Sequence, residues 1–342
     1  MKAMLLQRVW GPSETAIPLA RSVVADPVPR EGEILIAVTV CGVCHTELDE
    51  IEGRTPPRQF PVIPGHQVVG KVIGRGSGVR LFQVGDRVGV GWIFSACGRC
   101  DHCRRGDENL CAEFRGTGRD ANGGYAGLMT VREEFAFPVP AAFSDAQAAP
   151  LFCAGAIGYR SLRLAELQDG QTLGLTGFGA SAHLVLQMCR KRMPSSAVLV
   201  FSRSPAERSF AMELGAAWAG DIGEDPPATP DAIIDTTPAW RPVVESLRVL
   251  ASGGRLVINA IRKEEGDRDY LARLDYARHL WMEKRVVSVA NVTRRDIREF
   301  LDLAAQIPLA PEVREYPLED ANGALMELKK GSIRGAKVLR VS

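Results

Sequence analysis

The sequence predicts a mixed fold in which a β-rich first part is followed by an α/β part with a parallel sheet. Up to about residue 140, many short apolar runs are separated by glycine and proline, which is typical of a barrel-like all-β unit. From about residue 150, short apolar runs alternate with helical patterns, which indicates βαβ units. The length of 342 residues suggests two domains.

The individual strands follow from these apolar runs. In the first part we predict strands at Ile34–Val40, Val68–Ile73 and, after a turn at Gly85, Val88–Val90. In the second part the predicted strands are Thr172–Thr176, Ala197–Phe201, Ala232–Ile234, Arg255–Asn259 and Val286–Val289.

Composition excludes several classes of function. Hydrophobic residues make up 46% and charged residues 24%, and the formal charge is +1, so neither nucleic acid nor an anionic membrane is an expected partner. No run is long enough for a membrane span, and the first residues do not resemble a secretory leader. Eight cysteines in such a chain indicate a reducing compartment, with metal binding or catalysis before disulfides. We therefore expect a cytoplasmic protein.

The most specific motif is a group of four cysteines. Cys97, Cys100 and Cys103 are spaced by two residues, and Cys111 follows after seven more. Four thiolates at this spacing can enclose a structural zinc ion. Ferredoxins share the opening spacing, but they continue with three residues and then Cys-Pro, so zinc is favoured over an iron–sulfur cluster.

A second candidate metal site combines Cys44 and His66, with Cys153 as the third ligand. A thiolate and an imidazole can bind zinc together, and a catalytic zinc site has three protein ligands and an open position. Two simpler interpretations remain. Cys41 and Cys44 could form a redox dithiol, although no thioredoxin-like context surrounds them, and an isolated cysteine or histidine is often only structural.

The turn Gly177-Phe-Gly179-Ala180-Ser-Ala182 follows a predicted strand and opens a helix. This context makes a G-x-G-x-x-A turn a dinucleotide-binding motif. Gly177 permits the tight turn, Gly179 lets the backbone approach the pyrophosphate, and the small Ala182 lets helix and strand pack. The helix N-terminus supplies N–H groups to the phosphates.

The end of the next strand indicates which dinucleotide binds. An acid there usually bonds the ribose 2′-hydroxyl of NAD, but this strand runs into Ser202-Arg203-Ser204 with no acid before Glu207. Arg203 could bind a 2′-phosphate, with Ser202 and Ser204 as donors and Arg208 assisting. NADP(H) is therefore favoured over NAD(H), the alternative being an ordinary exposed loop.

These motifs together resemble the zinc-dependent medium-chain alcohol dehydrogenases, over nearly the whole chain. The resemblance rests on motifs that occur in the family's order: Cys44-His45-Thr46, Gly65-His66, Gly85-Asp86-Arg87-Val88, the four-cysteine lobe, Gly124-Tyr125-Ala126, Cys153-Ala154-Gly155 and the Gly177 turn.

The resemblance implies a GroES-like catalytic domain with an inserted Rossmann domain and an active site in the cleft. The expected boundaries are 1–150 plus 290–342 for the catalytic domain, with a zinc lobe at about 91–115, and 151–289 for the Rossmann domain. Such enzymes are homodimers or homotetramers.

The resemblance also implies the roles of individual residues. Cys44, His66 and Cys153 would bind a catalytic zinc, and the lobe a structural one. Thr46 would pass the alcohol proton outward, and His45 would lie near the cofactor pyrophosphate. The expected reaction is hydride transfer between a primary or secondary alcohol, or its carbonyl, and NAD(P), with aldehyde reduction if NADP(H) is used.

Three positions depart from the family pattern. Gln67 stands where a glutamate usually follows the histidine ligand, Glu47 replaces an aspartate, and Asp49 stands where many members have the histidine that ends the proton relay. These changes leave a second hypothesis open, namely a catalytically silent or regulatory member that binds nucleotide. The retention of Cys44, His66 and Cys153 favours the enzyme.

Overall fold

The computed structural model describes residues 1–331 and 334–342, which form two compact units. The first comprises Met1–Ala156 together with Asn291–Ser342, and the second comprises Ile157–Ala290. Within the described residues, no helix combines the length and the apolar character that crossing a lipid bilayer requires.

Seventeen strands are present in the described part of the chain. In chain order they are β1 (Lys2–Leu6), β2 (Leu19–Val23), β3 (Glu33–Val43), β4 (Val68–Arg75), β5 (Arg87–Val90), β6 (Ile93–Ser95), β7 (Arg115–Gly116), β8 (Leu128–Arg132), β9 (Ala136–Pro138), β10 (Leu173–Thr176), β11 (Val198–Phe201), β12 (Trp218–Gly220), β13 (Ala232–Asp235), β14 (Arg255–Ile258), β15 (Arg285–Ser288), β16 (Val313–Pro317) and β17 (Ala336–Arg340). All eight predicted strands are confirmed.

Nine α-helices accompany them in residues 1–331 and 334–342: α1 (His45–Ile51), α2 (Asp101–Arg105), α3 (Asp145–Ala148), α4 (Ala154–Ala165), α5 (Ala182–Arg192), α6 (Pro205–Glu213), α7 (Arg241–Val249), α8 (Arg294–Gln306) and α9 (Ala321–Lys329). Short 3-10 segments lie at Glu108–Leu110, Glu133–Phe135, Ala149–Phe152, Arg268–Arg273 and Leu318–Asp320, and one π-helical turn spans Tyr276–Leu280.

The first unit is built on a seven-stranded sheet in the order β16-β17-β3-β4-β5-β9, with β8 also paired to β3. Along β3, the buried side chains of Ile34, Ile36 and Val38 alternate with half-buried ones, as expected for a strand with one face in the core. The C-terminal strand β17 pairs antiparallel with β3, so the end of the chain completes the unit that the beginning starts.

The second unit has a six-stranded parallel sheet in the order β12-β11-β10-β13-β14-β15. The central strands β10, β11 and β13 are buried at every position, as their continuous apolar runs predicted. The strand order reverses direction between β10 and β13. In doubly wound folds, the crevice at such a reversal is where nucleotides bind.

Candidate active site

Cys44, His66 and Cys153 converge in the first unit. Cys44 lies directly before α1, His66 lies just before β4, and Cys153 lies between the Ala149–Phe152 turn and α4. Their ligand atoms all lie within 4.8 Å of one another, and His66 Nε2 is 3.2 Å from Cys153 Sγ although 87 positions separate the two residues. The fold therefore brings two thiols and an imidazole to one point.

Glu47 connects two of these residues, a role that was not predicted for it from the sequence. It is fully buried, with Oε1 2.6 Å from His66 Nδ1 and Oε2 accepting the backbone N–H of Cys44 at 2.8 Å. A signal was present, because an acid three residues after the residue that precedes a helix often folds back onto that residue's N–H. Glu47 thus contacts the His66 ring and the Cys44 backbone at the same time.

Burial and proximity set the charges of these three side chains. Burial disfavours a charge on His66, but the Glu47 carboxylate and the Cys44 sulfur outweigh it and raise the pKa of His66 well above its usual range. A hydrogen bond with Cys153 lowers the pKa of Cys44 well below its usual value, and the same contact, with burial, raises that of Cys153. Cys44 is therefore the first thiol to become a thiolate.

The donor set fits zinc. One imidazole and two thiolates are ligands that zinc accepts, and three protein ligands leave a position open for substrate. Glu47 lies against His66 Nδ1, and Nε2 faces Cys153 Sγ and is available to a metal, which is the common arrangement of a zinc-bound histidine.

The remaining predicted residues around this site differ in exposure. The Thr46 hydroxyl is half-buried and lies 3.6 Å from Cys44 Sγ, whereas His45 is exposed. Asp49 is buried, and its carboxylate forms an ion pair with Arg54 at 2.7 Å. The buried Gln67 packs its side chain against the backbone of Gly42.

Trp92 forms a wall next to His66. The two ring centroids are 6.3 Å apart, and the indole N–H of Trp92 donates to Glu50 Oε1 at 3.2 Å. Glu50 is almost fully buried, and burial together with the charge of Glu47 raises its pKa well above the usual range. Of the residues that follow Trp92, Ile93 is buried in the core and Phe94 lies against Arg115.

The four lobe cysteines form a second cluster, with all four sulfur atoms within 4.8 Å of one another. Tetrahedral zinc with Zn–S bonds of about 2.3 Å holds its sulfur atoms about 3.8 Å apart, and Cys97 Sγ and Cys103 Sγ are 3.8 Å apart. Backbone N–H groups point at the sulfurs. Those of Arg99 and Cys100 lower the pKa of Cys97 to about 6, whereas burial raises that of Cys103 to about 12.

Local structure brings the four cysteines of the lobe together. Strands β6 and β7 pair antiparallel at its base, and α2 begins directly after Cys100. Cys111 Sγ accepts the N–H of Glu113 at 3.3 Å. His102 lies outside the cluster, with Nδ1 3.3 Å from Arg105 Nη2.

The Gly177 turn combines a left-handed glycine with open space beside the backbone. Gly177 has a φ of +76°, and a side chain there would meet Thr236 Oγ1 at 2.9 Å. At Gly179 a Cβ would meet no protein atom within 4 Å, so space remains beside the backbone for a phosphate. Ala180 is half-buried, and α5 begins at the fully buried Ala182.

At the end of β11, the predicted phosphate-binding residues have different environments. The Ser202 hydroxyl donates to Glu207 Oε2 at 2.6 Å, and Ser204 Oγ accepts the N–H of Glu207 at 3.3 Å. Arg208 donates to the Ser202 carbonyl at 2.8 Å. Arg203 is exposed. The fold thus brings the Glu207 carboxylate to the end of β11, where the sequence has no acidic residue.

Comparison with known proteins gives consistent results. Residues 30–141 match the family described as "Alcohol dehydrogenase GroES-like domain". The chain is 44% identical to "Probable alcohol dehydrogenase AdhA" of Mycobacterium tuberculosis, covering 97% of this chain and 95% of that protein. It is 34% identical to "Probable cinnamyl alcohol dehydrogenase 8A" of Oryza sativa subsp. japonica, covering 92% and 89%. The solved structure of the cinnamyl alcohol dehydrogenase SbCAD4 from Sorghum bicolor superposes with a TM-score of 0.87 at 28% identity, covering 99% of this chain and 97% of that one.

Proposed function

The chain belongs to the zinc-dependent medium-chain alcohol dehydrogenase family, and from that premise we propose which of its residues carry out the reaction. It is a zinc-dependent, NAD(P)-dependent alcohol dehydrogenase with a GroES-like domain and a Rossmann domain. The observation that carries the assignment of residues is the convergence of Cys44, His66 and Cys153.

We assign the catalytic zinc to these three residues and a structural zinc to the four lobe cysteines, which makes two zinc ions per chain. When bound at the first site, zinc supplies Lewis-acid polarisation of an alcohol or carbonyl oxygen, and NAD(P) supplies or accepts the hydride. The chain's own residues position the metal-binding side chains and transfer protons. Glu47 holds His66 in the orientation that presents Nε2.

Thr46 is the group proposed to move the alcohol proton. Its hydroxyl lies 3.6 Å from Cys44 Sγ, so it lies beside the three side chains that would hold the zinc. Asp49 stands where the family relay usually ends, but its ion pair with Arg54 keeps the carboxylate engaged. We therefore assign the exit of the proton to Thr46 and solvent, and we leave Asp49 a positioning role.

The finer assignment of the dinucleotide is a prediction. The preference for NADP(H) that the sequence predicts, and aldehyde reduction with it, rests on Arg203 alone. Its exposed guanidinium has no polar partner in the described residues, so it is available to a phosphate. Gly177, Gly179, Ala180 and Ser202 complete the proposed cofactor site, and His45 stays a cofactor contact predicted from the resemblance. The nearby Glu207 carboxylate opposes a 2′-phosphate.

Assembly and location also belong to this proposal. We propose a homodimer or homotetramer with a small alcohol or aldehyde as substrate. The cytoplasmic location stays a prediction from the cysteine content.

The test combines metal analysis with turnover. Wild-type protein should contain two zinc ions per chain by mass spectrometry and should oxidise alcohols or reduce aldehydes with NAD(P). His66→Ala and Cys153→Ala should each lose one zinc ion while keeping their circular dichroism spectrum. Their turnover should fall at least about a thousandfold, because a Lewis-acidic metal contributes several kcal/mol to the transition state and each 1.36 kcal/mol is tenfold.

Cys189→Ala is the matched control, because Cys189 is a cysteine of α5 outside both clusters. It should retain two zinc ions and near-normal turnover. Near-normal activity of His66→Ala or Cys153→Ala with one zinc ion missing would show that the assignment is wrong.

A further inference from the structure

Glu207 places a carboxylate at the end of β11, although the residue itself belongs to the following helix, α6. It lies in the first turn of α6, where its backbone N–H donates to Ser204 Oγ at 3.3 Å. From there the side chain reaches back toward the sheet. Its Oε2 accepts the Ser202 hydroxyl at 2.6 Å and the backbone N–H of Phe178 at 3.2 Å.

These two contacts define the location of the carboxylate. Ser202 directly follows β11, and Phe178 stands between the two glycines of the Gly177 turn, directly after β10. In Rossmann folds, the adenosine ribose lies between the turn that binds the pyrophosphate and the end of the second strand, where an acid accepts its 2′-hydroxyl. Glu207 therefore occupies the acid's place, although it comes five residues after the usual position.

Two of the groups predicted to donate to a 2′-phosphate are engaged in other hydrogen bonds. The Ser202 hydroxyl already donates to Glu207, and the Arg208 guanidinium donates to the Ser202 carbonyl at 2.8 Å. Of the predicted phosphate-binding groups, Arg203 is the one without a polar partner in residues 1–331 and 334–342, and its side chain is exposed. An exposed arginine is screened by water, whereas the half-buried carboxylate repels a phosphate at short range.

We infer that Glu207 accepts the ribose 2′-hydroxyl, discriminates against a 2′-phosphate and makes NAD(H) the preferred dinucleotide. This inference rests on the proposed function, because it takes the Gly177 turn as the dinucleotide site. It is opposite to the preference predicted from Arg203, so the two assignments can be tested against each other.

The test measures binding by isothermal titration calorimetry at fixed ionic strength, with zinc-loaded protein and no substrate. NADH should bind more tightly than NADPH, and 5′-AMP more tightly than 2′,5′-ADP, each by about tenfold or more, the size of one hydrogen bond to a charged group. The two mononucleotides isolate the adenosine ribose, so the wild-type result does not depend on whether any variant folds.

Glu207→Gln keeps the size of the side chain and removes its charge. The ratio of the NADPH to the NADH dissociation constant should fall at least about fivefold in this variant. The change should come chiefly from tighter binding of NADPH and 2′,5′-ADP, since the carboxylate no longer repels their 2′-phosphate. Glu213→Gln is the matched control, because Glu213 is an exposed acid at the other end of α6. It should leave both affinities unchanged.

Three results would overturn the inference. Tighter binding of NADPH by the wild type, with a tenfold or greater loss in Arg203→Ala, would assign the choice to Arg203 and leave the alcohol dehydrogenase assignment intact. If Glu207→Gln and Glu213→Gln weakened the preference for NADH over NADPH equally, the effect would come from the loss of one negative charge and not from the position of Glu207. Binding of neither dinucleotide would remove the inference together with the proposed cofactor site.

Discussion

At the residue scale, Glu47 links the backbone before α1 to the catalytic cluster. One of its carboxylate oxygens faces His66 Nδ1 and the other accepts the N–H of Cys44. Among the family departures, Gln67 withholds a carboxylate from the metal surroundings, but Glu47 and Glu50 place two buried carboxyl groups there. The one extra methylene of Glu47 therefore does not prevent contact with His66.

Glu47→Gln should weaken zinc binding at the catalytic site by about 10- to 100-fold, the usual effect of removing a group that supports a metal-bound histidine. The amide keeps one acceptor oxygen but loses the negative charge that favours zinc. Competition with a chromophoric chelator measures the affinity, and circular dichroism checks the fold.

Glu134→Gln is the control for this change, because Glu134 is a partly exposed acid paired with Arg132 at 3.1 Å, away from both cysteine clusters. It should retain both zinc ions as the wild type does. Zinc retention in Glu47→Gln equal to that of Glu134→Gln would mean that the carboxylate does not support His66.

At the element scale, the zinc lobe is a segment with little core of its own. Its three half-buried cysteines and one buried cysteine lie between the short strands β6 and β7, and none of the residues of α2 is buried. We expect such a segment to depend on the proposed structural zinc for order, because the binding free energy of a structural zinc ion stabilises only the folded form.

Cys100→Ser should therefore leave one zinc ion per chain and lower the melting temperature by at least about 5 °C, which corresponds to roughly 2 kcal/mol at 2–4 °C per kcal/mol. Metal analysis and differential scanning calorimetry measure the two effects. His102→Ala, a change in the same segment outside the four thiols, should keep both zinc ions and the wild-type melting temperature. Iron and a brown colour in the wild type would instead indicate a cluster.

At the scale of the whole molecule, the parallel sheet ends in an exposed apolar edge. Strand β15 pairs with β14 on one side and has no partner strand on the other in the described part of the chain. Val286 on this strand is 48% exposed, and the nearby Tyr276, Trp281 and Met282 are each more than half exposed. An open apolar edge of this kind is a template for pairing with another chain, which supports the proposed homo-oligomer.

Val286→Lys should dissociate the oligomer or shift it toward a smaller species, because a lysine on an edge strand opposes edge-to-edge pairing. Light scattering coupled to size-exclusion chromatography measures the mass. Val84→Lys is the matched control, since Val84 is 63% exposed and precedes β5 in the other unit. A monomeric wild type, or a Val286→Lys protein of unchanged mass, would exclude this edge as the interface.

The sequence by itself determined the features that depend on neighbouring residues. Strand periodicity, the Gly177 turn and the spacing of Cys97, Cys100 and Cys103 are local, so the chain displays them directly. The grouping of Cys153 with Cys44 and His66 was a hypothesis that only the family resemblance supported, since no local pattern relates residues 87 positions apart.

Only the tertiary structure decided which groups the acidic side chains contact. Glu47 faces His66 Nδ1, Asp49 pairs with Arg54, and Glu207 returns to Ser202 and Phe178. The contacts of Glu47 with His66 and of Glu207 with Phe178 each join a helix start to a residue far away in the sequence, so their geometry is set by packing of the elements. The Asp49–Arg54 pair spans five positions and is local. A partly buried carboxylate needs hydrogen-bond donors. The donors that it contacts are brought into position only when the sheets form.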